Sequence, residues 1–195
     1  LEGFTRFLYH AAECSGKLLD LSKLASAAQV ARQSVVRFFD VLEDCLLVRR
    51  LEPFAKSATR RLVQHPKFYF FDVGVLNGLL GNFTVSGDRR GFLFEHLVVN
   101  QIVHEAAARD RDIRLSAYRT EHGAEVDVIL EMDGETHAIE IKASRTVRTS
   151  DLSGLRSFQE YYGRPHRSWI FYEGDAAKTI QETAIQPWQK GLREI

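Results

Sequence analysis

The sequence predicts a mixed α/β (α+β) chain, with helices first and then a sheet flanked by helices. Near the N-terminus, apolar residues recur at helical spacing: Phe4, Phe7, Leu8, Ala11 and Ala12, then Val35, Phe38, Phe39 and Leu42. From Phe68 onward, short runs rich in Val, Ile and aromatic residues alternate with longer helical patterns. Two of those runs flank Asp133-Gly134, and Asp-Gly between alternating segments is the strongest short hairpin signal. A chain of 195 residues has room for a small domain plus a core domain.

Residues 2–14 read as a helix that Gly16 ends. Leu18 to Asp20 is short and extended, and Ser22 caps a second short helix through Ala28. A third helix starts near Arg32 and runs to about Asp44, and Leu46 to Leu51 then reads as a strand. Helix, short helix, longer helix, strand is the order of a winged helix-turn-helix, whose third helix is the recognition helix. The exposed face of that helix carries Arg32, Gln33, Ser34 and Arg37, which suit DNA phosphates and base edges. A winged helix that serves only protein contact is the competing reading. Pro53 to Pro66 is a basic connector in which Arg60 and Arg61 are a candidate phosphate contact, or simply a solvated pair.

Phe68 to Phe71 reads as a buried strand, and Asp72 caps a short helix from Val75 to Leu80. Residues 81–91 read as a loop containing Arg89 and Arg90. Gly91 to about Ala108 is the next helix, with Val98, Val99, Ile102 and Val103 as its apolar stripe. Glu95 is in register with that stripe, so its carboxylate needs a partner: an arginine such as Arg119, backbone amides, or a metal. Ile113 to Tyr118 is a strand with Ile113, Leu115 and Ala117 inward. After the hairpin, Ser150 or Asp151 caps a helix that turns Leu152, Leu155, Phe158 and Tyr162 inward and closes at Gly163. Ser168 to Tyr172 is a strand, and the tail is expected to be helical from Ala176 to Ala184 and irregular around Pro187.

The hairpin carries the chemistry. With Asp133 and Gly134 as its loop, Asp127 lies opposite Glu140 and Glu125 opposite Lys142. Alternation puts Asp127, Glu140 and Lys142 on one face and Val126, Val128, Ile139 and Ile141 on the other. Opposed carboxylates repel, and a divalent cation removes that cost, because Mg²⁺ takes one or two protein carboxylates plus water and substrate oxygens. An ammonium beside such a metal can orient an attacking water or stabilise charge on a phosphate. The competing reading is a solvated face with a Glu125–Lys142 ion pair.

Asp127 followed by Glu140-Ile141-Lys142 is similar to the PD-(D/E)xK signature of restriction-endonuclease-like nucleases. G-F-L-F-E-H-L-V-V-N-Q-I at 91–102, Y-R-T-E-H-G-A-E-V-D-V-I-L-E at 118–131 and A-I-E-I-K-A-S at 138–144 resemble the uncharacterised C-terminal domain of a group of bacterial and archaeal AAA+ ATPases. Val126 stands where that signature has its nominal proline. The resemblance implies a winged helix over residues 1–60 and a nuclease-like mixed sheet flanked by helices over 66–195. It implies Mg²⁺ or Mn²⁺ held by Asp127, Glu140 and the Ile141 carbonyl, with Lys142 positioning water and Glu95 completing the site. DNA is the implied substrate, and the implied partner is an ATPase domain upstream in the same polypeptide. The alternative is a nuclease fold without activity that binds DNA or protein for that ATPase.

Composition excludes several other classes. Hydrophobic residues make up 45% and charged residues 27%, which is ordinary for a globular chain, and no apolar run is long enough to span a bilayer. The only cysteines, Cys14 and Cys45, have no metal-ligand or redox spacing, which suits the cytoplasm. No G-x4-G-K-[S/T] occurs, so ATP is not bound through a P-loop here. A first residue other than Met points to a piece of a longer polypeptide. Residues 1–66 hold ten Lys/Arg against seven Asp/Glu, a slightly basic balance that permits a nucleic-acid contact. His122 lies close to the motif in sequence, but a loop histidine is more often just exposed. Gln159 and Tyr161 follow the motif at a spacing unlike that of the Gln and Tyr used by some of these nucleases. The oligomeric state is left open.

Overall fold

The structure, a computed structural model, describes residues 2–54, 62–63 and 65–195. The chain forms two compact units, one of residues 1–51 and 65–96, the other of residues 52–64 and 97–195.

The first unit begins with helices α1 (Glu2–Cys14), α2 (Leu21–Ala28) and α3 (Arg32–Asp44). Strand β1 (Val48–Pro53) follows, and its Val48–Leu51 part pairs antiparallel with β2 (Lys67–Phe70). Helix α4 (Val73–Leu79) and the first turns of α5 (Gly87–Ala108) complete the unit. This is the expected order of helices and strand pair, with an isolated bridge from Leu18 to Lys67 beside it. The apolar stripes close on one core of Phe7, Leu24, Val35, Phe39, Leu42 and Phe68, in which the Phe39 and Phe68 rings stack at 4.2 Å.

The second unit is a mixed sheet with helices. Its strands are the end of β1, β3 (Ile113–Arg119), β4 (Glu125–Met132), β5 (Glu135–Lys142), β6 (Arg167–Tyr172), β8 (Thr183–Pro187) and β7 (Lys178–Ile180), in that spatial order. The β3–β4, β4–β5 and β7–β8 pairs are antiparallel, whereas the β1–β3, β5–β6 and β6–β8 pairs are parallel. A 3₁₀ turn (Thr149–Leu152) leads into α6 (Ser153–Tyr162), and α7 (Trp188–Glu194) closes the chain. Tyr118, Val126, Ile129, Ala138, Ile170 and Ile185 pack with Leu152, Leu155 and Phe158 of the α6 segment. Gly154 lets α6 approach β4: a Cβ there would lie 1.7 Å from the Glu125 carbonyl oxygen.

Several expectations are corrected. The tail is a β7–β8 hairpin and then a helix, not a helix over 176–184. Gln181 and Glu182 both take left-handed backbone (φ 49° and 65°), the turn that two-residue hairpins need, and β8 is drawn into the sheet beside β6. Helix α5 starts at Gly87, so Arg89 and Arg90 lie in its first turn, with their amides on the Ser86 carbonyl. Asp20, not Ser22, caps α2, accepting from the Ser22 and Lys23 amides at 3.0 Å. Strand β1 starts at Val48, because Leu46 (φ 59°) and Leu47 return their amides to the end of α3. On β3, Ser116 and Tyr118 are buried alongside Leu115 and Ala117, because this strand is covered on both faces. The connector arginines Arg60 and Arg61 lie outside the described residues.

Candidate functional site

The β4–β5 turn sets the register as the sequence implies. Val128 pairs with Ile139, Leu130 with His137 and Met132 with Glu135, around Asp133 and Gly134 at positive φ. The paired register ends at Val128 and Ile139, and Asp127 and Glu140, expected to face each other, are the next residues on the two strands. The sequence could not show what happens on the other edge of β4. Ser116 pairs with Ile129 but Tyr118 pairs with Val126, so β4 carries one extra residue between Val126 and Ile129. That bulge falls on Asp127 and Val128, the kind of irregularity that re-aims a side chain beside a functional site. Val126 and Ile129 thereby join the same core. Asp127 turns its Oδ2 onto the strand, where it accepts the Ile141 amide at 2.8 Å.

Glu140 is buried, with 8% of its surface exposed. Lys142, two residues on and on the same face, donates to Glu140 Oε1 at 2.6 Å. Burial disfavours the Lys142 ammonium, but Glu140, and then Asp127 and Asp151, outweigh it and raise its pKa above the ordinary lysine value. Asp151 also accepts the Arg148 amide at 2.8 Å, which fixes it at the start of the turn before α6. Sequence reading gave Asp151 only the role of a cap, since its approach to Lys142 depends on how α6 folds back. The expected Glu125–Lys142 pair does not form. Arg119 takes Glu125 instead, at 2.6 Å, and thus does not serve Glu95.

Glu95 belongs to the first unit. Its Oε1 accepts the Tyr69 hydroxyl at 2.5 Å and lies 3.6 Å from the ammonium of Lys67, itself almost fully buried. Neighbouring His96 is buried, with Nε2 2.6 Å from the Ser15 hydroxyl. Burial first, and Lys67 with it, lower the His96 pKa to about 4 against the opposing pull of the Phe92 carbonyl. His137 turns away from the Glu140 face and accepts the Trp169 indole N–H at 3.1 Å. His122 is exposed in the turn before β4.

Of the expected DNA contacts, Arg32, Gln33 and Arg37 are exposed on α3 and Ser34 is half-buried at its start. The same exposed side carries Asp40 and Asp44, which temper its positive charge. Two carboxylates on adjacent strands are a hard oxygen donor set of the kind Mg²⁺ and Mn²⁺ accept. Among the described residues, no three His, Cys, Asp or Glu side chains gather as a metal-holding group, so water and substrate would supply the remaining ligands. No helix of the described residues is long and apolar enough to cross a membrane.

Residues 90–190 match a family described as a domain of unknown function (DUF4143), and residues 1–86 match another domain of unknown function (DUF8612). An uncharacterised protein of Mycobacterium bovis and one of Mycobacterium tuberculosis are each 31% identical to the chain over 181 residues. The matches cover 87% of this chain, which spans 38% of the length of these curated relatives. No solved structure matches.

Proposed function

Because this chain belongs to the DUF4143 family, a domain typically found at the C-terminal end of proteins that contain an AAA ATPase, we propose that its second unit is a divalent-metal-dependent DNA nuclease centre working beside such an ATPase. The observation that carries this reading is the convergence at the hairpin. A bulged Asp127, a buried Glu140 and a Lys142 drawn toward three carboxylates meet on adjacent strands. Structural hairpins seldom bury a carboxylate beside a second one, because the repulsion must be offset.

In this reading Asp127 and Glu140 hold Mg²⁺ or Mn²⁺, with the Ile141 carbonyl as a further oxygen. The cation supplies Lewis acidity at the scissile phosphate and a more acidic bound water. Glu140 anchors Lys142, and Lys142 orients the attacking water and faces the charge that develops on the phosphate. Asp127 is kept in place by the Ile141 amide, and Asp151 steadies Lys142 from the side of α6. Arg32, Gln33, Ser34 and Arg37 of α3 offer contacts to the duplex.

A second reading is favoured by one observation. Lys142 already donates to Glu140 Oε1 at 2.6 Å, an ion pair that balances this carboxylate's charge without a metal. The domain would then bind DNA or protein for its ATPase without cutting. Cleavage of linear, supercoiled and branched DNA with Mg²⁺ or Mn²⁺ decides between them. The nuclease reading expects cutting by wild type and none by Asp127→Asn, in which the amide oxygen can still accept the Ile141 N–H. Intact DNA in every wild-type reaction would leave the binding module.

A further inference from the structure

On the α6 face of the sheet, the second unit holds a cavity of about 240 Å³ between α6 and strands β6 and β8. Leu152 and Leu155 give it an apolar floor, and both are almost fully buried. Its polar lining includes Arg156, Gln159, Ser168, Gln181, Glu182 and Thr183. Ser168 and Thr183 are register partners on β6 and β8, so their side chains share that face, and Thr183 is 4% exposed. Arg156 and Gln181 both line it, and Arg156 donates to the Gln181 side-chain oxygen at 2.6 Å, tying α6 to the β7–β8 turn.

That turn is the second observation. Gln181 and Glu182 both sit in the left-handed region, where hairpins prefer Asn and Gly and where other side chains are strained. Strain of this kind is kept where surrounding contacts fix it, and it gathers at ligand clamps. Here it holds the Gln181 amide and the Glu182 carboxylate at the cavity rim.

We infer that this cavity is a nucleobase pocket. The choice of ligand rests on the nuclease reading of the neighbouring hairpin. The volume is below the roughly 300 Å³ at which pockets for larger ligands begin, so a single ring system enters and the sugar and phosphate stay outside. One guanidinium, Arg156, is offset by one carboxylate, Glu182, so a phosphate gains little there and a neutral ligand is favoured. Side-chain amides offer a donor and an acceptor together, which is what a base edge requires. An apolar floor suits the face of the ring. The placement also fits. Ser168 pairs with Ala138 and Ile170 with Glu140, so Ser168 lies ~8 Å from Glu140 by strand spacing and rise. That is the scale of one nucleotide, from a base to a neighbouring phosphate.

The test is an NMR titration of the full chain with each of the four deoxynucleosides, and separately with deoxyribose 5-phosphate. The pocket expects the Ser168, Gln181 and Thr183 amide signals to shift with at least one nucleoside, with a Kd on the order of 1 mM or tighter. Gln181→Gly, which removes the amide and relaxes the turn, should weaken binding roughly tenfold. Thr183→Val should weaken it without changing the fold. No shift with any nucleoside would overturn the inference, as would equal shifts with the sugar phosphate. Nucleoside binding by a chain that cuts no DNA would keep the pocket and remove the nuclease reading. DNA cutting with a silent cavity would do the reverse.

Discussion

Lys142→Met isolates the ion pair at the centre of the hairpin. The Glu140 side chain is 11% exposed and that of Lys142 is 32% exposed, with 2.6 Å between the charged atoms. At an effective dielectric of about 20, the gross attraction at that distance is about 6 kcal/mol. Burial of both charges takes back a good part of it. Removing one partner of a buried pair costs about 3–5 kcal/mol, and the partial exposure of Lys142 places this case near about 3 kcal/mol. Urea unfolding followed by tryptophan fluorescence reads the right unit, since both tryptophans, Trp169 and Trp188, belong to it and Trp169 pairs with Ile139 on β5. In a chain of this size, a loss of about 3 kcal/mol lowers the melting temperature by about 6–12 °C. Adding Glu140→Gln should restore at least about 1 kcal/mol, because no uncompensated charge then remains buried. A single variant within about 0.5 kcal/mol of wild type, or a double variant no better than the single, would refute the buried-pair argument. The alkaline limb carries the same sign. The folded Lys142 pKa is raised, so its stabilisation is complete below the ordinary lysine value and is lost as pH climbs through the raised one.

Three other outcomes follow from the same geometry. His96 is held near 4 against an ordinary 6.5, so the unfolded chain binds its proton more tightly. Stability in the first unit is then intact above pH 6.5 and falls by about 3 kcal/mol as pH drops to about 4. Hydrogen exchange of the α1 amides should follow that fall in wild type and lose most of it in His96→Asn. Gly154→Ala forces a Cβ onto the Glu125 carbonyl. Calorimetry should show a cost of about 3 kcal/mol, after the gain of about 1 kcal/mol that alanine brings to a helix interior. Glu182→Gly relieves a left-handed residue and should raise stability by about 0.5–1 kcal/mol in urea titrations.

What could be read from the sequence follows its periods. The α1–α3 stripes and the Asp-Gly turn each fix a local geometry, so the N-terminal helices and the β4–β5 register were legible. The bulge at Asp127 was not, because it arises from the pairing of β4 with β3, whose register the Asp133-Gly134 turn does not set. The β7–β8 hairpin was missed for a related reason. Its turn residues, Gln181 and Glu182, are poor formers of the conformation they adopt, and Ala176 to Ala184 has enough helical spacing to mislead. Candidate site residues were visible as types, but their partners were not. Arg119 took Glu125, Tyr69 and Lys67 took Glu95, and Asp151 approached Lys142, all through tertiary contacts.

The most direct test of the hairpin centre is Mn²⁺-dependent melting of wild type against Asp127→Asn, without DNA. A cation at 100 times its Kd stabilises the folded chain by about 2.7 kcal/mol, which corresponds to a rise of about 5–10 °C at this size. If Asp127 and Glu140 hold the metal, wild type should rise by that amount and Asp127→Asn by little. Equal curves with and without Mn²⁺ in wild type would contradict a metal centre and leave Lys142 as the group that satisfies these carboxylates.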